Sequence, residues 1–119
     1  MKKTIYKIKE GDIIFASWQG IITSEERTRF RDEIQQRCEE IGTKKFIVDL
    51  RKQKNKTEIQ DNYDFGKQLR RKMKGYTIAA IYNPMGVNEE FLIETVKRGK
   101  VNIKVFNRLD AAKKWILSQ

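Results

Sequence analysis

Three polar residues each follow an apolar run: Asp49 after Phe46-Ile47-Val48, Asn83 after Ile81-Tyr82, and Asn107 after Val105-Phe106. If those runs are neighbouring strands of a parallel sheet, the three side chains share one edge. Open α/β sheets gather ligands and partners at that carboxyl edge. Met85 and Phe106 would wall such a polar site. Ordinary loop chemistry competes with this reading, because Asp and Asn favour turns by bonding their own backbone. Directly after Asp49 comes a basic loop, Arg51-Lys52-Gln53-Lys54-Asn55-Lys56-Thr57.

Other chemistries are poorly supplied. The chain has no histidine, so the commonest general base and metal ligand is missing. With one cysteine, Cys38, neither a Cys-His nucleophile pair nor a zinc site of the Cys and His kind can be built. Cys38 falls on an apolar helical stripe, where a small buried hydrophobe is expected rather than a redox thiol. The adjacent pairs Glu25-Glu26, Glu39-Glu40 and Glu89-Glu90 point about 100° apart on a helix and make poor acid/base dyads. The seven glycines are scattered and form no phosphate-binding loop. An enzyme using Asp49 with a lysine has no motif behind it, and no cofactor or metal is expected.

The elements that would position these residues follow from periodicity. At 119 residues the chain is sized for one domain, and no apolar run approaches a membrane span. The N-terminal stretch lacks the apolar core of a signal peptide, and the lone cysteine suits a reducing compartment, so a cytoplasmic location is expected. Residues 4–9 and 13–18 read as a hairpin, with the lysine-bearing first strand at an edge and Gly20 ending the second. Thr23-Ser24-Glu25-Glu26 has the form of a capping box. Phe30, Ile34, Cys38 and Ile41 continue at helical spacing to a Gly42 stop, giving a helix over 24–41. Phe46–Leu50 reads as a strand buried on both faces. Thr57-Glu58-Ile59-Gln60 suggests a second capping box and a helix over 58–74. Residues 77–82 form a strand, Asn83-Pro84-Met85-Gly86 a turn, and Asn88 the N-cap of a short helix over 89–98. A strand over 101–106 and a terminal helix with Leu109, Ala112, Trp115 and Ile116 complete the chain. The order is β-β-α-β-α-β-α-β-α: a single α/β domain with a mixed, mostly parallel five-stranded sheet and four helices.

The charge, 26 Lys and Arg against 16 Asp and Glu, would permit attraction to anionic partners. Its basic clusters at residues 51–56, 70–74 and 97–104 are spread over different elements. They are not interleaved with aromatics on one face, so nucleic acid is not the expected partner.

Three strings carry a family resemblance. They are Phe46-Ile47-Val48-Asp49-Leu50-Arg51, Tyr63-Asp64-Phe65-Gly66-Lys67-Gln68-Leu69, and Ile81-Tyr82-Asn83-Pro84 taken with Val105-Phe106-Asn107 and Ala111-Ala112-Lys113-Lys114-Trp115. With the element order, they resemble the SpoIIAA-like branch of the STAS superfamily, the sulfate-transporter and anti-sigma-factor-antagonist domains. SEC14-type lipid-binding domains are often grouped with that branch. The resemblance covers nearly the whole chain. It implies a non-catalytic regulatory or protein-interaction module. The alternative it implies is a SEC14-like domain for a lipid or anionic small molecule, which would need an apolar cavity between sheet and helices. In anti-sigma-factor antagonists the loop after the Asp-Leu strand presents a phosphorylatable serine, and phosphate there blocks the partner kinase. The positional match is Thr57, and Asn55-Lys56-Thr57-Glu58 stands where the family carries an Asp-Ser-Ser-Gly type signature. Thr57 is therefore read as a helix cap first and a phosphosite second. The expected binding surface comprises Asp49, Lys54, Lys56, Thr57, Asn83, Met85 and Asn107. A protein partner is expected there, and an exposed first strand or uncovered sheet face would allow a homodimer.

Overall fold

Apolar side chains alternate along the strands and sort onto two faces of one sheet. A computed structural model describes residues 2–55, 59–83 and 87–119. Its elements are β1 (Lys2–Lys7), β2 (Ile14–Ile22), α1 (Ser24–Ile41), β3 (Lys45–Asp49), β4 (Gln53–Asn55), α2 (Ile59–Lys72), β5 (Thr77–Ile81), α3 (Val87–Lys97), β6 (Asn102–Phe106) and α4 (Leu109–Leu117). The main path of the sheet runs β1-β2-β3-β5-β6. The β1–β2 hairpin is antiparallel and the remaining pairs are parallel.

That order explains the layers. From β2 onward each crossover steps to the next strand in the same direction. Right-handed crossovers therefore carry α1, α2 and α3 over one face. On that face Ile14, Ala16 and Trp18 of β2, Phe46 and Val48 of β3, and Ile78 and Ala80 of β5 meet Phe30, Ile34, Cys38, Leu69, Met73, Leu92 and Val96. Among the described residues the opposite face receives only α4, whose Ala112 and Ile116 pack with Phe15, Ile47, Ala79 and Ile81. Thus β3 and β5 are covered on both faces, as the short apolar run 46–50 anticipates. The radius of gyration, 13.1 Å, sits close to the roughly 13.5 Å of a single domain of this length.

Local signals position α1 closely. Thr23 Oγ1 accepts from the Glu26 amide at 3.1 Å, and Glu26 Oε1 accepts from the Thr23 amide at 3.0 Å. Gly42 ends the helix in the left-handed conformation, φ 72°, with its N–H turned back to the last carbonyls.

The structure departs from the sequence reading in three places. The sheet has six strands, because residues 53–55 pair with β2 instead of forming loop. Gly20 does not end β2; it lies within it, at φ 100°. Both departures have one cause. β2 is nine residues long and β3 is five, so β2 overruns its neighbour and leaves backbone groups without partners. β4 supplies those partners, and the Gly20 amide donates to the Lys52 carbonyl at 2.9 Å. The third departure is at α3, which already includes Val87, so Asn88 lies in its first turn rather than capping it.

Candidate functional site

The carboxyl ends of β3 and β5 form the rim. Asp49, the last residue of β3, turns toward the α4 side of the sheet and folds back on Arg51. Its Oδ1 accepts from the Arg51 amide at 3.1 Å and from Nε at 3.0 Å, and its Oδ2 from Nη2 at 2.8 Å. Asn83 Nδ2, just past β5, donates to the Arg51 carbonyl at 3.1 Å. Burial alone would raise the Asp49 carboxyl. The Arg51 hydrogen bonds outweigh burial and hold it below the usual carboxylate range. Asp49, Arg51, Lys52 and Asn83 line a depression of about 390 Å³ beside Phe15, Ser17 and Gln19 of β2. With both oxygens committed to Arg51, Asp49 works as a clip on the turn and is not a free base.

The structure therefore brings Asp49 and Asn83 together through Arg51. Asn107 lies past the end of β6, exposed, and is not among the residues lining this depression or the cavity described next. Lys54 is exposed on β4. Lys56, Thr57 and Met85 lie outside the described residues, as do the expected second cap and the proposed phosphosite. Cys38 is fully buried, and burial pushes its thiol up to about 12, with Glu39 adding to the shift.

A second feature lies on the three-helix face. Between β3, β5, β6 and the helices α1–α3 is a cavity of about 180 Å³. Its walls are largely apolar, with Phe46, Val48, Ile78, Ala80, Leu92 and Ile103 among them. Leu50, Arg51, Gln53, Tyr82 and Asn83 also line it, which extends the lining to the rim. Two arginines of α1, Arg27 and Arg31, stand in the same wall at 5% and 3% exposure.

The two arginines differ in how they are satisfied. Arg31 donates through Nε and Nη2 to Asp32 Oδ1, at 3.3 and 2.9 Å, and through Nη1 to Gln68 Oε1 at 2.8 Å. Its charge is matched by a carboxylate. Arg27 donates through Nη1 to Asn62 Oδ1 at 2.6 Å and through Nη2 to the Asp61 carbonyl at 3.3 Å. Its guanidinium carbon lies 4.2 Å from the centre of the Phe65 ring. Its Nε–H has no acceptor among the described residues. Among the described residues Arg27 forms no ion pair. Burial pulls its pKa below the ordinary arginine value, and Tyr82 and Asp61 act in the opposite direction. The side chain nonetheless remains a cation. A buried donor left without an acceptor costs about 1–3 kcal/mol, more when the group is charged.

No family model and no curated protein matches the chain. The site must therefore be read from its own geometry.

Neither arginine stands out among the 26 basic residues of the sequence. A signal was nonetheless present: Arg27 and Arg31 recur with Phe30, Ile34 and Cys38 at helical spacing, on the stripe that must face the core. Among the described residues, no group of three or more His, Cys, Asp or Glu is placed to hold a metal ion, and no helix is long and apolar enough to cross a membrane.

Proposed function

We propose that this chain is a non-catalytic binding module of the STAS-like kind, and that it holds a small, largely apolar anion in the cavity between its sheet and α1–α3. One observation carries the reading: Arg27 is buried in an apolar wall with an unmet donor and no ion pair among the described residues. Buried charges are ordinarily paired, and one without an ion pair in the wall of a largely apolar cavity suits an anionic occupant. The α/β layering and the Asp49-Leu50-Arg51 turn support the STAS-like assignment, and fold analogy by itself does not name a ligand. Native mass spectrometry of gently purified protein tests the reading, together with thermal melting in the presence of small organic acids. The expected outcome is an added mass lost on denaturation, or a melting temperature raised by such acids. A bare-chain mass with melting unmoved by every acid would contradict it.

A protein-docking reading is favoured by the rim. Lys52 and Lys54 are exposed beside the Asp49 turn and form no ion pair among the described residues. An acidic protein partner would suit them. Lys52→Glu with Lys54→Glu is then expected to weaken partner capture while the fold persists, and capture unchanged by both substitutions would contradict this reading.

A further inference from the structure

The geometry points to a compact monocarboxylate as the ligand of the cavity, with its carboxylate against the Arg27 guanidinium and its apolar body against Phe46, Val48 and Ile78. This inference rests on the binding-module reading and adds the head group, its contact and the size of the body.

Charge counting selects the head group. The cavity wall carries three guanidinium groups; Asp32 neutralises Arg31 and Asp49 neutralises Arg51. One positive charge is left, which matches a single carboxylate. A phosphate monoester brings about 1.5–2 negative charges and three acceptor oxygens, more than one remaining cation can match.

Donor geometry selects the contact. Arginine offers five N–H donors in a rigid fork that suits a carboxylate. Here Nη1 is turned to Asn62 and Nη2 spends one of its two hydrogens on the Asp61 carbonyl. Nε–H keeps no acceptor among the described residues, and the guanidinium as a whole stands in the cavity wall. The guanidinium is held in place before any ligand arrives, by Asn62, the Asp61 carbonyl and the Phe65 ring. Preorganisation of this kind lowers the cost of binding.

Volume selects the body. A cavity of about 150 Å³ lined by aliphatic and aromatic residues accommodates benzene. At about 180 Å³ this one fits a single six-membered ring or a chain of similar bulk. Pockets for drug-sized ligands run to roughly 300–1,000 Å³. A long-chain fatty acid or a diacyl lipid would not be enclosed whole.

Isothermal titration at fixed ionic strength tests this with benzoate, hexanoate, toluene, palmitate and inorganic phosphate as probes. Wild-type protein is expected to bind benzoate and hexanoate at least tenfold more tightly than toluene, and to bind neither palmitate nor phosphate comparably. Arg27→Met is expected to lose the tenfold preference and keep toluene, which shows in the same experiment that the cavity is still formed. Should Arg27→Met fail to fold, the wild-type series decides alone. Toluene binding as tightly as benzoate overturns the carboxylate and leaves the cavity as a ligand site. Palmitate or phosphate binding best overturns the size or the charge argument. Failure of every probe to bind sinks both this inference and the binding-module reading.

Discussion

At Asp49 and Cys38 the environment of a single group decides what it can do. Asp49 is held below the ordinary carboxylate range by Arg51. A depressed folded pKa means that its stabilisation is fully present above the unfolded value, near 3.9, and disappears as pH falls through the lower folded value. Asp49→Asn should therefore cost about 1 kcal/mol at neutral pH, because Arg51 is partly open to water and screening trims the pair. It should also flatten the acid limb of stability against pH below about pH 4. Urea unfolding of both proteins across that range checks this, and parallel curves would contradict it. Cys38, with its thiol pushed up to about 12, should react with a thiol reagent at mildly basic pH no faster than the protein opens. Rapid labelling of the native protein would show that the thiol is accessible. At this scale the sequence disclosed Cys38 through its place on the stripe of α1. Asp49 was singled out for its position at a strand end, but its commitment to Arg51 depends on how the following turn closes. Arg27 was hidden by the abundance of other cations.

Among the elements, the contact between α2 and α3 is the most exacting. A Cβ on Gly66 would lie 2.9 Å from Thr95 Cγ2 and 3.2 Å from Leu92 Cδ1. Thr95 is a β-branched residue on a helix, so it has little freedom to turn away. Gly66→Ala gains about 1 kcal/mol of helix propensity and meets an overpacking cost of about 1–3 kcal/mol. A net destabilisation on the order of 1 kcal/mol is expected in urea unfolding, and a raised midpoint would show that the two helices are not so closely seated. The sequence places Gly66 inside the helix read over 58–74 without indicating what it faces, since that partner comes from α3. It specified α1 far better: its cap, stripe and stop are all local, and all three are present. β4 was illegible for the opposite reason. Gln53, Lys54 and Asn55 have no apolar alternation, and their pairing follows from the overhang of β2, more than thirty residues earlier.

For the whole molecule, strand order settles where a ligand can go. Because the sheet advances in one direction from β2 to β6, three helices crowd one face and, among the described residues, α4 alone guards the other. The cavity arises on the crowded face, where α1 brings Arg27 over the carboxyl halves of β3 and β5. Alternation made a layered sheet with four helices readable in advance, but which face each helix covers follows from the strand order, which the sequence does not display. The volume was not readable, since it depends on how well side chains from seven elements fill a common space. The central claim is that Arg27 awaits an anion there, and its Nε–H signal in a proton–nitrogen spectrum of the wild-type protein reports on this most directly. During titration with benzoate the signal should move downfield and saturate in step with the methyl signals of Val48 and Ile78. Methyl shifts without movement at Arg27 Nε, or a spectrum unchanged throughout, would contradict the account.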